Sequence, residues 1–588
     1  MQVDYQPSVF LQRVIVDAAA AIPELGADFD PILRAADPRH GDFQANGILG
    51  VAKKVGVPPR PLGQKLLDAV VASGALDPNY VTVSIAGPGF LNFSLQPTFL
   101  LKWIEAFGAA DAFAQNSSQL RKGLKAVVDY SSPNTAKEMH VGHIRSTVIG
   151  EALARMLTYA GAEVTRDNHL GDWGTQFGMI IYSLKKSGHD LDAEHENPVA
   201  DLEALYKEGN AAYKSSPEIA QEVRDELVKL QQGDEENLTI WKKITEVSWH
   251  AFESNYDRLG VKFDTALGES FYRDRVDNIY EELAETGLSE KSEGALVVFH
   301  PEHPRFAKQP FIVRKTDGAS NYATTDLATI YYRAKELASD DILYCVDSRQ
   351  SDHFEQLFLT TKKWFEARGW TLPKLKHVSN GTILGPNGKP LKTKEGDNVK
   401  LKALLEEAHN RALAIVSEKN PELAEEEQSR VAEAIGIGAV RYADLSQNRS
   451  SDYQFSWDKM LALEGNTAPY LLYAGARIHS IFRKLEVRPT DDFVSAASAP
   501  ETETEIALAR KLVAFPSAFE QALGDYRPHN LCTYLFELAG LFSTFYAADR
   551  VSIEDPAIRA RRLSLCAQTL LTLETGLHLL GLETLERM

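Results

Sequence analysis

The stretch VVDYSSPNTAKEMHVGHIRSTVIGEALARML, residues 127–157, restricts the possible folds more than any other part of the chain. It begins with a short valine-rich run that polar residues follow at once, which is typical of a strand buried in a parallel sheet. A helical pattern comes next and stops at Gly161; its apolar face consists of Ile144, Val148, Ile149 and Leu153. The segment AEVTRDNHL then predicts a second strand. Strand, turn, helix and strand form a βαβ unit, so the sequence predicts an α/β domain with a parallel sheet.

Two histidines, His140 and His143, lie at the predicted start of this helix, with Gly142 between them. Ligands of parallel α/β sheets bind beyond the carboxyl ends of the strands, where a helix N-terminus offers free N–H groups to phosphate. Imidazoles can donate hydrogen bonds to phosphate oxygens, and a glycine lets a flat ring lie against the backbone. The arrangement therefore suits a nucleoside triphosphate. Two alternatives remain from these residues alone: helix caps or core contacts, and a metal pair, for which no third ligand is evident nearby.

Length and composition limit the class of protein. A chain of 588 residues is too long for one core, and 44% hydrophobic with 25% charged residues is typical of globular domains. The N-terminal MQVDYQPSVFLQRVIVDAAAAI predicts an amphipathic helix and not a signal peptide, and no apolar run reaches the ~18 residues of a membrane span. Three dispersed cysteines indicate neither disulfides nor a cysteine zinc site. The net charge of −19 argues against nucleic-acid binding over the whole surface, and we expect a cytoplasmic protein.

The pattern changes several times along the chain. Residues 1–115 mix helices with short strands, including VTVSIAGPGFLNFSL around a Gly-Pro-Gly turn, and predict a small α/β domain. Residues 116–400 carry the α/β core, with a charged helical insertion at about 190–290, after which the alternation resumes with ALVVFH, PFIVRKTDG, DDILYCVDS and LKHVSNGTIL. Residues 401–455 predict a helical connection. Residues 456–588 predict a helix bundle with an apolar stripe of Leu531, Leu535, Leu538, Phe542 and Phe545.

The histidine motif belongs to a longer match. PNTAKEMHVGH resembles the HIGH signature of class I aminoacyl-tRNA synthetases, and SSPNTAKEMHVGHIRSTVIGE followed by NHLGDWGTQFG is similar to the arginyl-tRNA synthetase family. GDFQANGILGVAKKVG resembles that family's N-terminal additional domain, and SNYATTDLATIYYR and VDSRQSDHFEQLF resemble its second half-site. EGNTAPYLLYAGARIHSI resembles the start of its helical anticodon-binding domain. The resemblance implies a Rossmann-like catalytic core, a tRNA-contacting domain before it and an anticodon-binding bundle after it.

The resemblance also implies a KMSKS-like loop that closes over ATP. The matching segment is GPNGKPLKTKEGDNVKL, with Lys389, Lys392 and Lys394 between glycines. Such lysines can neutralise the charge that develops on the β- and γ-phosphates as pyrophosphate leaves. Thr393 stands where the family pattern has a lysine, so the segment leaves open which lysine acts; we favour Lys392 and Lys394. A solvated lysine-rich turn is the alternative.

The positions that match the family's amino-acid pocket are Asp129, Asn134, Tyr322, Asp326 and Gln350. A guanidinium is a planar fork of donors that pairs with carboxylates, so one or both aspartates would hold the arginine side chain. Asn134 and Gln350 would hold the ammonium and carboxyl ends, and Tyr322 would pack and hydrogen-bond. Taken without the motif, Asp129 could equally cap a strand end and Asp326 a helix start.

The activity that the resemblance implies is the two-step charging of tRNA with L-arginine. Arginine attacks the α-phosphate of ATP to form an adenylate and pyrophosphate, and the terminal ribose of tRNA then attacks the adenylate. Mg²⁺ accompanies ATP, and tRNA must bind before the first step runs well. We expect no metal-binding residues, no DNA or membrane partner and a monomer. Near the start of the last domain, Tyr470 and Tyr473 share a helical spacing with Arg477, and we expect the tyrosines to be buried.

Two rival functions remain at this stage. One is a class I synthetase for another amino acid, glutamate or cysteine. The missing cysteine cluster argues against cysteine, and a pocket rich in carboxylates would repel glutamate. The other is a tRNA-binding relative without catalysis, which would be expected to have damaged ATP motifs, whereas His140, Gly142 and His143 are all present.

Overall fold

A computed structural model describes residues 3–26, 28–191, 196–316, 322–392 and 398–588. The chain divides into two compact units. The first unit comprises Met1–Leu120, Leu463–His578 and Glu583–Met588. The second comprises Arg121–Ala462 and Leu579–Leu582. Lys394, one of the two favoured loop lysines, lies outside the described residues.

The N-terminal part of the first unit is an antiparallel sheet with helices around it. Its elements are α1 (Pro7–Ala19), β1 (Leu33–Ala35), β2 (Phe43–Ala45), α2 (Ile48–Val55), α3 (Pro59–Ala72), β3 (Val81–Ala86), β4 (Phe90–Leu95), α4 (Pro97–Phe107) and α5 (Ala110–Ser117). The strand order is β1-β2-β4-β3. The predicted Gly-Pro-Gly turn joins β3 to β4. Gly87 and Gly89 both take the positive φ that a tight turn requires, which glycine adopts without strain.

The second unit opens with the predicted βαβ segment. Its elements are β5 (Lys125–Tyr130), α6 (Val141–Tyr159), β6 (Glu163–Asp167) and α7 (Thr175–Ser187). The predicted apolar face of α6 is buried, and the chain leaves the helix through Gly161 at a φ of 95°. Strand, helix and strand are therefore confirmed at the predicted places.

The charged stretch that follows is helical, as its pattern predicts. It forms α8 (Pro198–Tyr213), α9 (Pro217–Gln231), α10 (Glu235–Leu259), α11 (Glu269–Tyr272) and α12 (Val276–Glu285). Polar side chains cap the first three helices, since Asn197, Ser216 and Asp234 each accept a hydrogen bond from a backbone N–H of the first turn.

The α/β alternation that the sequence predicts after the insertion is found only in part. ALVVFH and PFIVRKTDG form β8 (Ala295–Val298) and β9 (Phe311–Arg314), which join β7 (Ser289–Ser292) in a separate antiparallel sheet. The predicted alternation of strands and helices therefore does not hold for these two strands. No helix lies between these strands, so the chain has no crossover that could bring them parallel.

The parallel sheet is completed later in the chain. The elements are α13 (Tyr322–Lys335), β10 (Asp341–Cys345), α14 (Ser351–Arg368) and β11 (Lys374–His377). The sheet has the order β11-β10-β5-β6 with all pairs parallel. The unit ends with β12 (Ile383–Leu384), α15 (Leu401–Lys419), α16 (Glu425–Leu445), β13 (Tyr453–Gln454) and α17 (Trp457–Met460). The second unit is thus Rossmann-like, with helices added to a parallel sheet.

The C-terminal part of the first unit is helical, as predicted. Its helices are α18 (Ala468–Lys484), α19 (Glu503–Val513), α20 (Phe515–Gly524), α21 (Pro528–Ala548) and α22 (Pro556–Leu579). Among the described helices, α21 alone has the length and hydropathy to cross a membrane. The predicted stripe on α21 is fully buried, which is equally the behaviour of a core helix.

Candidate active site

The parallel sheet has its topological switch point between β5 and β10, because the chain runs outward from these two strands in opposite directions. Ligands of such sheets bind at the carboxyl ends of the strands beside this point. Ser146 on α6 links the ends of β5 and β10. Its Oγ accepts a hydrogen bond from the Ser131 N–H and donates one to the Cys345 carbonyl. The turn between β5 and α6 is unusual, since Ser131, Ser132 and Ala136 all have positive φ. Such strain in non-glycine residues is found at functional sites.

The histidine pair, His140 and His143, lies at the start of α6, as predicted. The two rings have centroids 4.0 Å apart and are tilted by 30°. Nδ1 of His140 accepts a hydrogen bond from the Gly142 N–H at 3.0 Å, and Nδ1 of His143 accepts one from the His140 N–H at 3.1 Å. The histidines therefore form a reciprocal cap of the helix. A side chain on Gly142 would come within 2.7 Å of the His140 ring, which explains the glycine between them.

Burial keeps the two histidines neutral, and the capping bonds determine which ring nitrogen carries the proton. Burial lowers the pKa of His143 to about 3, and burial together with Lys400 and Arg349 lowers the pKa of His140. Both rings are therefore neutral near pH 7. Because Nδ1 accepts in each ring, the proton of each neutral imidazole lies on Nε2. The structure thus presents two Nε2–H donors, and the cap that the sequence offered as an alternative is the means of orienting them.

The segment after the predicted closing loop is attached to the histidine motif. The Val141 N–H donates to the Val399 carbonyl at 2.8 Å, and the Leu401 N–H donates to the Met139 carbonyl at 2.9 Å. The Lys400 ammonium forms ion pairs with Glu138 at 3.1 Å and Glu203 at 2.8 Å. The residues that follow the loop therefore lie beside the histidine motif. Of the loop lysines within the described residues, Lys389 and Lys392 are exposed.

Asp129 lies in an internal ion pair. It is buried at the end of β5, directly across from Asp167 on β6. Nη2 of the fully buried Arg333 donates to both carboxylates, at 2.7 Å and 2.6 Å, and the Ser132 hydroxyl donates to the other oxygen of Asp129. The carboxylate that was expected to receive a substrate guanidinium thus already holds one from the protein. Its position corresponds to the alternative that the sequence left open, a residue that stabilises the strand end.

Asp326 belongs instead to an acidic cluster that we define as Asp172, Glu269 and Asp326. Burial, and after it the negative charges of Asp326 and Asp172, together raise the pKa of Glu269 to about 8. Burial lowers the pKa of His353, but its hydrogen bond to Asp326 at 2.5 Å and the charge of that carboxylate outweigh burial and raise it. The cluster therefore brings three carboxyl groups together in a partly buried place, where a bound cation would stabilise their ionised forms.

Glu269 was not predicted from the sequence. It follows Gly268 in the segment assigned to the helical insertion, and no periodicity or motif distinguishes it. The fold places it through its neighbours: the Glu269 N–H donates to the Leu170 carbonyl at 3.0 Å, and Ser270 donates to the Asp172 carboxylate from both its N–H and its hydroxyl. A Cβ at Gly268 would lie 2.3 Å from the Asp172 carboxylate, so only glycine allows this approach.

The remaining predicted pocket residues, Asn134, Tyr322 and Gln350, lie at or next to the ends of strands and helices. Asn134 is exposed in the turn after β5 and lies opposite Gly171, where a Cβ would come within 2.1 Å of the Asn134 Oδ1. Tyr322 begins α13, and its side chain is 70% exposed. Burial, Glu269 and Asp326 raise the pKa of the Tyr322 hydroxyl. Gln350 is exposed and precedes the first residue of α14.

A second surface lies in the first unit. Tyr473 on α18 is 42% exposed, so the expectation that it is buried is wrong, whereas Tyr470 is half-buried. The Arg477 guanidinium lies 4.8 Å from the Tyr473 ring centroid and 5.8 Å from that of Tyr546. Within the residues that the structure describes, no group of three or more His, Cys, Asp or Glu side chains is arranged to hold a metal ion.

Comparisons with known proteins agree with this architecture. Residues 110–457 match the family described as tRNA synthetases class I (R), catalytic domain, residues 471–588 match the DALR anticodon binding domain, and residues 10–95 match the arginyl tRNA synthetase N terminal domain. Arginine–tRNA ligase of Chromobacterium violaceum is 45% identical over 576 residues, which cover 97% of each chain. The crystal structure of arginyl-tRNA synthetase from Plasmodium falciparum superposes with a TM-score of 0.80 at 28% identity, covering 99% of this chain and 98% of the other. Thermus thermophilus arginyl-tRNA synthetase gives 0.79 at 25% identity, covering 99% and 100%. The chain therefore belongs to the arginyl-tRNA synthetase family of class I aminoacyl-tRNA synthetases.

Proposed function

We propose that this chain attaches L-arginine to its tRNA through an arginyl-adenylate, consuming ATP and releasing AMP and pyrophosphate. The observation that carries the proposal is the pairing of two unlike ends of one site. The histidine pair supplies neutral donors at a helix N-terminus, and the acidic cluster supplies carboxyl groups whose ionised forms a cation would stabilise. The first end suits phosphate and the second suits a guanidinium.

The histidine end would bind ATP. The Nε2–H groups of His140 and His143 would donate to phosphate oxygens, and Gly142 would leave room for the flat parts of the nucleotide. Mg²⁺ would enter with the phosphates of ATP as part of the substrate. Lys392 and Lys394 are the loop lysines that we assign to the leaving pyrophosphate. Their loop is joined to the histidine motif through Val399, so closing it would bring positive charge to the same end.

The acidic end would bind arginine. Asp326 and Glu269 would pair with the guanidinium, and Asn134, Tyr322 and Gln350 would contact the ammonium and carboxyl groups. Because the Glu269 pKa is raised to about 8 without a cation, Glu269 is mostly protonated near neutral pH. A bound guanidinium would stabilise its ionised form, so arginine binding should release a proton. Asp129 would not contact the substrate; it would stabilise the pairing of β5 and β6, because Arg333 donates to both Asp129 and Asp167.

Neither chemical step requires a covalent bond to the protein. The arginine carboxylate attacks the α-phosphate of ATP, and pyrophosphate leaves. The terminal ribose hydroxyl of tRNA then attacks the adenylate carbonyl, and AMP leaves. The protein contributes by holding the reacting groups together and by stabilising charge on the phosphates.

The group of Tyr473, Arg477 and Tyr546, in which the two tyrosines are exposed and Arg477 is half-buried, would contact the anticodon loop. Unpaired RNA bases are recognised by aromatic side chains and guanidinium planes that stack on them, and this group supplies both. We assign residues 1–115 to tRNA contact, 116–400 to catalysis, 401–455 to the connection and 456–588 to the anticodon. We further expect a cytoplasmic monomer without DNA or membrane partners.

Aminoacylation with each proteinogenic amino acid in turn tests the proposal. Unfractionated tRNA, ATP and Mg²⁺ are supplied, and the acid-stable charged tRNA is measured. Charging with arginine alone is expected. Charging with another amino acid would overturn the assignment of the acidic cluster, and no charging at all would favour a tRNA-binding protein in which the histidines are only caps.

A further inference from the structure

A cavity of about 520 Å³ lies within the first unit, apart from the catalytic residues. Three segments line it: the end of α4 with the start of α5, the loop 489–495, and one face of α22. Its walls are mainly apolar, with Ile104, Phe493, Val494, Leu570 and Leu571 among them. A cavity of this size can enclose a small organic molecule.

The cavity contains a buried amide without partners. Gln568 on α22 is only 2% exposed and lines the cavity. Among the residues that the structure describes, neither its Nε2 nor its Oε1 has a hydrogen-bond partner. Gly108, another lining residue, gives the amide room, since a Cβ there would lie 2.6 Å from the Gln568 Oε1. A buried amide that lacks both hydrogen bonds is unfavourable, and a ligand offering one donor and one acceptor would satisfy it.

The rim of the cavity is negatively charged. Four carboxylates line it, Glu105, Asp491, Asp492 and Glu574, and the lining itself contains no lysine, arginine or histidine. Outside the lining, Lys102, Arg488 and His479 pair with Glu105, Asp491 and Glu574, so among the described residues Asp492 is the rim carboxylate that forms no ion pair. Hydrogen bonds from backbone N–H groups of Arg488 and Ser495 lower the pKa values of Asp491 and Asp492, so these two are ionised at neutral pH. Phosphate and carboxylate ligands would be repelled here, and a cation would be attracted.

We propose that this cavity binds small organic cations in which an amide group is attached to an apolar body. The amide N–H would donate to the Gln568 Oε1, and the amide carbonyl would accept from Nε2. The apolar body would lie against Leu570 and Phe493, and the ammonium group would face the rim carboxylates. The site does not depend on the proposed synthetase activity, because none of its residues belongs to the catalytic site.

Isothermal titration calorimetry of the full chain tests this site with two probes, procainamide and N-acetylputrescine. Saturating L-arginine is present throughout, so that the acidic cluster is already occupied by a cation. Both probes are expected to bind. Procaine, in which an ester replaces the amide of procainamide, should bind about fivefold more weakly because it lacks the N–H donor. Absence of binding by both probes would overturn the proposal, as would equal affinity for procaine and procainamide.

Variants identify the residues. Gln568→Met keeps the volume of the side chain and should weaken procainamide binding about tenfold, because it removes both hydrogen bonds. Asp492→Asn, at an exposed rim position, should weaken it about threefold. Gln521→Met on the exposed face of α20 is the matched control and should leave the affinity unchanged. Undiminished binding by Gln568→Met would place the probe elsewhere; if that variant does not fold, the loss expected for Asp492→Asn decides.

Discussion

The histidine end and the acidic end of the active site differ in how they carry charge before a substrate arrives. The histidine pair is neutral, and its donors are oriented by bonds within one helical turn. The acidic cluster gathers carboxylates from separate segments, and burial together with their mutual repulsion raises the Glu269 pKa. The first end can receive phosphate without changing protonation. The second is unfavourable until a cation binds, so it favours a guanidinium over any neutral side chain.

Arg333→Met is expected to have the largest effect, because it removes the guanidinium that pairs with the buried carboxylates of Asp129 and Asp167. Two carboxylates would remain buried and unpaired, which should lower the free energy of unfolding by ~3–5 kcal/mol. The urea midpoint measures this loss. Arg39→Met, at an exposed pair with Asp37, is the control and should change stability by less than ~1 kcal/mol. Similar losses in the two variants would contradict the importance of the internal pair.

Asp326→Asn should break the acidic end alone. Loss of one charged partner of a desolvated guanidinium is expected to raise the KM for arginine ~300-fold. The KM for ATP should change little, because the histidine pair is untouched. Arginine-dependent pyrophosphate exchange in the presence of tRNA measures both constants. A parallel rise in the two KM values would show that the two ends are not independent.

His140→Ala should break the histidine end alone. It removes one oriented donor to the phosphates, so adenylate formation should slow ~100-fold. Binding of tRNA, measured by filter retention, should remain nearly unchanged. His250→Ala, at an exposed histidine, serves as the control for losing an imidazole. Normal pyrophosphate exchange combined with lost tRNA binding would refute the proposed role.

Glu269→Gln should reveal the proton held by the acidic end. Titration of arginine into the wild type near pH 7 should release close to one proton, detected as a dependence of the binding enthalpy on the buffer, and the variant should release far less. The folded pKa lies above the ordinary 4.5, so ionisation of Glu269 destabilises the arginine-free protein as the pH rises from 4.5 to about 8. The melting temperature of the wild type should therefore fall relative to the variant over this range, and saturating arginine should oppose the fall. Equal pH profiles would contradict the raised pKa.

The predicted elements were most accurate where sequence neighbours are also spatial neighbours. The strand at β5, the helix α6 and the stripe on α21 follow from periodicity, because each element's own residues form its buried face. ALVVFH and PFIVRKTDG have the same apolar character as the strands of the parallel sheet, and their own residues do not indicate which sheet they join. The connection between the two strands decided which sheet they join. It contains no helix that could serve as a crossover, so the strands pair antiparallel, and the periodicity of the strands themselves does not show this.

The sequence by itself determined the histidine end of the candidate site. His140, Gly142 and His143 lie within four consecutive positions, and local hydrogen bonds orient them at the start of one helix. The tertiary structure decided the acidic end. Asp129 and Asp326 had equal claims as carboxylates in the sequence, but Arg333 neutralises the first, and Glu269 joins the second from a segment without a motif. The physical reason is that the role of a carboxylate depends on the charge beside it, and that neighbour is supplied by folding.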